Sequence, residues 1–187
     1  RGFFKRNSII EIPNLISVKT PDIKNDVIDK NILYLGRLHK TKGIDLLINA
    51  FSKVENKQLK LLIAGRVNPY KKELKKLVES LKMKENVVFL GEVKGEKKQR
   101  LIQNAWVMAS PTYSDVIGMV NLEAAALKTP MITTYKTGLN EEWNLNGGKL
   151  INPTIEALTI ALKEALNWSV EEREANGEKL YNYVKRD

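Results

Sequence analysis

Short apolar runs recur along the chain at intervals of about 20 to 28 residues, a spacing typical of strands that alternate with helices. Gly, Pro or Asn bounds each run, and in chain order the runs read NILYLG, KLLIAG, NVVFLG, WVMASP and PMITT. Their β-rich composition predicts strands that are buried on both faces. A sixth, shorter strand is predicted at residues 149–151.

Segments with helical periodicity separate these predicted strands. Their apolar positions are Ile44, Leu47, Ile48 and Phe51 in one segment and Leu74, Leu77, Val78 and Leu81 in the next. Further helices are predicted around residues 154–166 and 171–184. Because alternating strands and helices form right-handed βαβ units, the pattern predicts a Rossmann-like, doubly wound α/β fold with a parallel sheet of about six strands. Ligands of such sheets bind at the carboxyl ends of the strands, so functional residues should follow strands.

The pattern divides the chain into two parts. Residues 1–27 contain Pro13 and Pro21 and are predicted to be a connector, whereas residues 28–187 form one domain. A chain of 187 residues, 43% of them hydrophobic, can bury a single core. The first residue is Arg1 rather than Met, and the opening residues resemble the end of an earlier segment, so we expect the chain to be an excised fragment.

Composition narrows the classes of function. The chain has no Cys, which excludes disulfides and thiolate sites, and its net charge of +9 favours an anionic partner. The densest cationic cluster, Lys71, Lys72, Lys75 and Lys76, lies opposite apolar positions of one helix and is typical of a solvated face. Weak contact with anionic lipid stays open, but no aromatic stripe or arginine-rich run favours nucleic acid.

No apolar run reaches the roughly 18 residues that span a bilayer. A cytoplasmic location, or one at the inner face of the membrane, is therefore expected.

The first candidate site follows the first strand. Gly36 and Arg37 end that strand, and Lys42 and Gly43 precede the next helix. A diphosphate there would meet the guanidinium group of Arg37 and the ammonium group of Lys42. The alternative is an ordinary basic loop in which Gly43 eases the turn.

The second candidate site follows the fourth strand, where a loop with Asp115 and Gly118 leads into a helix that begins at Met119. A helix N-terminus with glycine beside it binds anions, because its N–H groups are unsatisfied and a ligand can approach closely. Glu123 lies inside this helix and could accept hydrogen bonds from the two hydroxyls of a ribose. The alternative is a surface or capping-box glutamate.

Together these segments resemble glycosyltransferase family 4, whose members are retaining enzymes with two Rossmann-like domains (GT-B). The resemblance covers residues 12–166 and is carried, in family order, by IPNLIS, LYLGRLHKTKGIDLLINAF, LKLLIAG, NVVFLGEV, SPTYSDVIGMVNLEAAALKTPMITT and GGKLI. It implies that the chain is the C-terminal, donor-binding half of an enzyme that transfers a sugar from a nucleotide diphosphate sugar to an acceptor hydroxyl. The acceptor would be a glycan or lipid-linked molecule of lipopolysaccharide or capsule synthesis, held largely by the N-terminal domain.

The resemblance also implies roles for single residues. Arg37 and Lys42 would hold the donor diphosphate, with Gly36 beside them, and Glu123 would bind the ribose. The backbone at Gly118, Met119 and Val120 would position phosphate and sugar, and Gly91 and Val93 would border the base. The family's two-carboxylate motif usually begins with Glu, but here Asp115 takes that place, which keeps the charge and shortens the reach of the side chain toward the sugar by one methylene group. No metal and no further cofactor is expected, because protein cations would take up the diphosphate charge.

Three other interpretations remain open. A nucleotide-sugar epimerase with the GT-B fold would share the nucleotide site, and a non-enzymatic basic module would use the charge alone. A plain flavodoxin-like domain would leave Arg37, Lys42 and Glu123 unexplained.

Trp106, Trp143 and Trp168 are interpreted as packing residues rather than as stacking partners for a base.

Overall fold

The structure, a computed structural model, describes residues 30–56, 58–116 and 118–185. Its six strands are β1 (Asn31–Leu35), β2 (Lys60–Ala64), β3 (Val87–Gly91), β4 (Val107–Ser110), β5 (Met131–Thr134) and β6 (Lys149–Ile151). The α-helices are α1 (Ile44–Ser52), α2 (Tyr70–Ser80), α3 (Gly95–Gln103), α4 (Met119–Ala126), α5 (Glu142–Leu145), α6 (Ile155–Asn167) and α7 (Val170–Val184), and a short 3-10 helix spans Lys40–Lys42. The predicted connector, residues 1–27, lies outside the described residues.

The strands form one parallel sheet in the order β3-β2-β1-β4-β5-β6. This is the strand order of a doubly wound dinucleotide-binding sheet. The chain builds outward from β1 to β3, crosses over, and then builds outward in the other direction from β4 to β6. The predicted Rossmann-like parallel sheet of six strands is therefore confirmed.

Two apolar cores cover the two faces of the sheet. On one face α1, α2 and α6 pack through residues such as Leu47, Leu74 and Leu162. On the other face α3, α4, α5 and α7 pack through residues such as Ala124 and Leu180. Strands β1, β4 and β5 are buried on both faces, as the sequence pattern predicts. The prediction is wrong for β3, which lies at the edge of the sheet and leaves Val88 and Leu90 exposed at 39% and 40%.

The interpretation of the tryptophans as packing residues is confirmed for Trp106 and Trp143, whose side chains are buried in the two cores. Trp106 is 1% exposed and donates its indole N–H to the carbonyl oxygen of Ala165 at 2.7 Å. Trp143 is fully buried and donates to the carbonyl oxygen of Met131 at 3.4 Å. Trp168 is partly buried against the first core. These rings fill space between helices and sheet, and their polar atoms are satisfied there.

Helix α3 is absent from the sequence prediction. Its first turns, from Gly95 onward, are charged, and Ile102 is its buried residue. Its nine residues include two large apolar side chains, Leu101 and Ile102, which are too few to show a repeat in the sequence. Strands β3 and β4 are parallel strands of one sheet, although they are not neighbours in it. The chain between them must therefore cross over one face of the sheet, so a helix in this segment could have been assigned on topology alone.

Candidate functional site

The candidate site lies at the topological switch point of the sheet, between β1 and β4, where the order of the strands reverses. Strands β1 and β4 are hydrogen-bonded neighbours, with Ile32 opposite Val107 and Leu33 opposite Met108. The connection after β1 leads to one face of the sheet, and the connection after β4 leads to the other. Divergent connections open a crevice at the carboxyl ends of these two strands, which is the usual ligand site of such a fold.

Backbone hydrogen bonds shape the loop after β1. The hydroxyl group of Tyr34 donates to the carbonyl oxygen of Arg37 at 2.8 Å, and the N–H of Gly36 donates to the carbonyl oxygen of Ala64 in β2 at 3.0 Å. The side chain of Arg37 is exposed and forms no ion pair with another described residue. Arg37 is thus positioned through its backbone while its guanidinium group points to solvent.

The loops after β1 and β4 are joined to each other. The carbonyl oxygen of Thr41 accepts hydrogen bonds from the N–H of Tyr113 at 2.8 Å and from the hydroxyl group of Thr112 at 2.9 Å. Gly43 has a φ of +63°, and a Cβ atom there would lie 2.0 Å from the carbonyl oxygen of Pro111. Only glycine permits both the left-handed backbone and this approach. Gly43 therefore does more than ease a turn, since it lets the two loops meet.

This junction brings Lys42 to Asp115. The ammonium nitrogen of Lys42 lies 2.5 Å from Oδ2 of Asp115, although the two residues are 73 positions apart. Their side chains are only 15% and 23% exposed. The loop holds Asp115 in place, because its N–H donates to Lys136 and its Oδ1 accepts the N–H of Val116, both at 3.0 Å. A cation and a carboxylate from two predicted site segments thus form one partly buried pair at the crevice.

Gly118 places the start of α4 beside this pair. It has a φ of +67°, and a Cβ atom there would lie 3.2 Å from Oδ2 of Asp115 and 2.9 Å from Nδ2 of Asn121. Gly118 offers no capping side chain to the first turn, which contains the exposed Met119 and the half-buried Val120. The N-terminal end of the helix dipole therefore lies close to the Lys42–Asp115 pair and favours negative charge.

Glu123 has a partner that the sequence reasoning missed. Oε1 of Glu123 accepts a hydrogen bond from the ammonium group of Lys98, on α3, at 2.7 Å. Both side chains are partly exposed, at 26% for Glu123 and 30% for Lys98. An ionised carboxylate has about four lone-pair sites, so this bond leaves acceptor capacity for a ligand. The capping-box alternative does not apply, since Glu123 is the fifth residue of α4 rather than a residue of its first turn.

The predicted base-side residues follow β3. Gly91 ends the strand with a φ of +77°, and a Cβ atom there would meet nothing within 4 Å. Val93 is 9% exposed and packs in the same core as Ala124 of α4. Val93 therefore serves first as a packing residue, and the open side of this segment is at Gly91.

The electrostatics of the crevice act on the buried phenol of Tyr34. Burial, together with the negative charge of Asp115, raises the pKa of Tyr34 far above its usual range. Within the described ranges, no three His, Asp or Glu side chains come together in a way that could hold a metal ion. None of the helices in the part of the chain that the structure describes is long and apolar enough to cross a membrane.

Comparison with known proteins decides the family. The model of the glycosyl transferases group 1 family matches residues 19–183. The chain belongs to this family. The resemblance seen in the sequence is thereby confirmed, and the chain falls among the transferases.

Individual relatives agree with the assignment. A glycosyltransferase of Methanocaldococcus jannaschii is 39% identical over 114 residues, which are 60% of this chain and 29% of that protein. Sucrose-phosphate synthase of Thermosynechococcus elongatus has a TM-score of 0.77 at 25% identity, over 85% of this chain and 41% of that one. WaaG, a glycosyltransferase involved in lipopolysaccharide biosynthesis, has a TM-score of 0.72 at 25% identity, over 84% of this chain and 43% of that one. The chain thus spans less than half the length of these relatives.

Proposed function

We propose that this chain binds the nucleotide diphosphate sugar of a retaining glycosyltransferase and forms the donor-binding half of a GT-B enzyme. One observation carries the proposal. The Lys42–Asp115 pair lies at the topological switch point of the sheet, between β1 and β4, and beside the N-terminus of α4. A cation, a carboxylate and a helix N-terminus at one crevice suit a ligand that carries both phosphate and hydroxyl groups.

Arg37 and Lys42 would bind the diphosphate. Arg37 is exposed and can turn its guanidinium group toward two phosphate oxygens. The ammonium group of Lys42 has three donors, so it can contact a phosphate while it keeps Asp115. When the bond to the sugar breaks, negative charge develops on the diphosphate. Fixed cations and the α4 N-terminus would stabilise that charge without a metal ion.

The two carboxylates would bind hydroxyl groups at different places. Asp115 would accept hydrogen bonds from hydroxyls of the transferred sugar, in the position that the family usually gives to glutamate. Glu123, held by Lys98, would accept them from the ribose. Gly91, Gly118 and Val120 would line the remaining path of the nucleotide.

The acceptor would be held mainly outside this chain, by an N-terminal domain. The involvement of WaaG in lipopolysaccharide biosynthesis supports a bacterial surface glycan, such as lipopolysaccharide or capsule, as the product. We further propose that the reaction takes place in the cytoplasm, at the inner face of the membrane. Helix α2 exposes Lys72, Lys75 and Lys76, which supports weak contact with anionic lipid there.

Calorimetry on the purified chain tests the proposal. A thermal-shift panel of nucleotide sugars first selects the base, and the matching diphosphate and monophosphate are then titrated. We expect the diphosphate to bind more tightly by at least about tenfold, since two charge-assisted contacts address the second phosphate. Replacing both Arg37 and Lys42 with Met should remove this preference. Equal affinities for the two nucleotides in the unaltered chain would contradict the phosphate roles.

A matched control separates the site from general charge. Lys149 also forms an ion pair at 2.5 Å, with Glu164, but on the β6–α6 side of the domain. Lys149→Met should leave nucleotide affinity unchanged. In the full-length enzyme, turnover of the nucleotide sugar without any acceptor would favour the epimerase interpretation over transfer. Binding to anionic vesicles that no nucleotide sugar affects, with no nucleotide binding at all, would favour the basic-module interpretation.

A further inference from the structure

A second cleft opens next to the donor site, between α1, α2 and the loop after β4. Its volume is about 550 Å³, which lies in the usual range for small-molecule sites. It is lined by Lys40, Thr41, Asp45, Tyr70, Glu73, Leu74, Leu77 and Tyr113, and we call it the tyrosine cleft. None of these residues belongs to the predicted donor site, so the cleft needs its own explanation.

The tyrosine cleft combines aromatic surface with acceptor oxygens. Tyr113 is 40% exposed, and Leu74 is buried at 1% exposure. The hydroxyl group of Tyr70 donates to Oδ1 of Asp45 at 3.2 Å, which fixes the ring and orients the carboxylate. Tyrosine hydroxyl groups are neutral at physiological pH, and burial together with the nearby Asp45 raises the pKa of both tyrosines further. Such a wall offers one apolar face and several hydrogen-bonding groups.

The charges of the tyrosine cleft disfavour an anion. Among the described residues that line the cleft, Lys40 carries the one positive charge, against the two carboxylates Asp45 and Glu73. The ammonium group of Lys40 already lies 3.1 Å from Oε2 of Glu73, and both side chains are largely exposed. A phosphate would therefore meet net negative charge. A neutral ligand rich in hydroxyl groups would instead find acceptors for its hydrogen bonds.

The tyrosine cleft shares a wall with the donor site. Lys40 and Thr41 directly precede Lys42, and Tyr113 lies two residues before Asp115. The N–H of Tyr113 donates to the carbonyl oxygen of Thr41 at 2.8 Å, so the wall is continuous. A ligand in the tyrosine cleft would lie beside the sugar that is transferred.

We propose that the tyrosine cleft is a neutral saccharide subsite, in which a pyranose ring stacks on Tyr113 and donates hydroxyl hydrogen bonds to Asp45 and Glu73. Given the proposed function, this saccharide is part of the acceptor glycan. The subsite would hold that glycan from the donor-binding side of the active-site crevice. Sugar binding there needs no nucleotide, so it can be measured separately.

Saturation-transfer NMR on the 187-residue chain tests the subsite, with maltotriose, cellotriose, mannotriose and chitotriose as probes. We expect at least one probe to bind. Tyr113→Ala should weaken that probe by about tenfold and Asp45→Asn by about fivefold, because each removes one recognition element. Nucleoside diphosphate affinity should stay the same in both variants. Tyr135→Ala is the matched control, since Tyr135 is similarly exposed, at 44%, but lies outside the cleft. Thermal denaturation confirms that each variant is folded.

The outcomes separate the two proposals. The subsite is overturned if no probe binds, if both variants bind the probe as the unaltered chain does, or if a nucleoside diphosphate displaces the probe competitively. If the probe binds as expected while no nucleotide binds, the subsite stands and the proposed donor function fails. If nucleotides bind as expected while no probe does, the donor function stands and the subsite fails.

Discussion

Replacing Asp115 with Asn changes one charge at the centre of the candidate site and little else. Asn has the same size, and its carbonyl oxygen can still accept the N–H of Val116, which Oδ1 of Asp115 accepts at 3.0 Å. The variant loses the ion pair with the ammonium group of Lys42, at 2.5 Å. It also loses the charged acceptor that we propose for hydroxyls of the transferred sugar.

Burial of the pair sets the expected loss of stability. Exposed ion pairs contribute about 0–1 kcal/mol, and removing one partner of a fully buried pair costs about 3–5 kcal/mol. The side chains of Lys42 and Asp115 are 15% and 23% exposed, so they lie between these limits. We expect Asp115→Asn to lower the free energy of unfolding by about 1–2 kcal/mol. For a chain of this size that corresponds to a decrease in Tm of about 2–8 °C.

Ligand binding distinguishes a sugar contact from a loop contact. The free nucleoside diphosphate should bind Asp115→Asn no less tightly, because Lys42 stays available and a nearby negative charge is gone. The nucleotide sugar should bind less tightly by about 1.5–3 kcal/mol, or roughly 10- to 150-fold, since it loses hydrogen bonds to a charged acceptor. Calorimetry with both ligands measures the difference directly.

The control for this experiment is Glu164→Gln. It breaks the Lys149–Glu164 pair, which has the same 2.5 Å separation but side chains that are 36% and 50% exposed. Its stability should change by less than about 1 kcal/mol, and neither ligand should bind differently. If Asp115→Asn weakens both ligands equally, or weakens neither, Asp115 does not contact the sugar and acts only as a partner of Lys42.

Four further variants or treatments test other parts of the structure. Lys98→Met should weaken nucleotide binding by about fivefold in calorimetry, because Glu123 loses the hydrogen bond that orients its carboxylate. Adding Glu123→Gln to this variant should cause little further loss, whereas additive losses would show that the two residues act separately. Arg173→Met should lower the free energy of unfolding by about 2–4 kcal/mol in urea denaturation, because the side chain of Arg173 is 5% exposed and donates to three carbonyl groups. The control Arg100→Met, at an exposed arginine, should lower it by less than about 0.5 kcal/mol. Equal effects of the two variants would contradict this expectation. The pKa of Tyr34 is higher in the folded than in the unfolded chain, so the contribution of its protonated phenol to stability is complete below about pH 10 and is lost as the pH rises above that value. Tyr34→Phe should therefore flatten the decline of Tm above about pH 10. An unchanged slope would contradict the assignment. Chelation with EDTA should leave nucleotide affinity unchanged in calorimetry, and a loss of about tenfold, or 1.4 kcal/mol, would reveal a metal requirement.

Most of the fold follows from local patterns in the sequence. Strands covered by helices are rich in apolar residues, so β1 to β5 are visible in the sequence as mostly apolar runs, and β6 is visible as a shorter one of three residues. Helix α6 begins where Thr154 can cap it, and its apolar stripe continues for three turns. Alternation of these elements then leaves few topologies open. Helix α3 was not predicted because it contains only two large apolar residues, Leu101 and Ile102, although the chain must cross over between the parallel strands β3 and β4.

The candidate residues were found in the sequence, but their partners were not. Arg37, Lys42, Asp115 and Glu123 stand out by type, by place after a strand, and by family resemblance. Nothing local indicates that Lys42 contacts Asp115, because that contact depends on β1 and β4 being neighbours in the sheet.

Local sequence patterns therefore specify the helices and strands and the kinds of chemical group available at their ends. Which of those groups come into contact depends on how the elements pack in three dimensions. Gly43 approaches the carbonyl oxygen of Pro111, and this packing joins two loops that are distant in the chain. Helix α3 brings Lys98 to Glu123, and the packing of α1 against α2 opens the tyrosine cleft. Periodicity reports which face of an element is buried, whereas contacts between loops depend on strand order and close packing, which no local pattern contains.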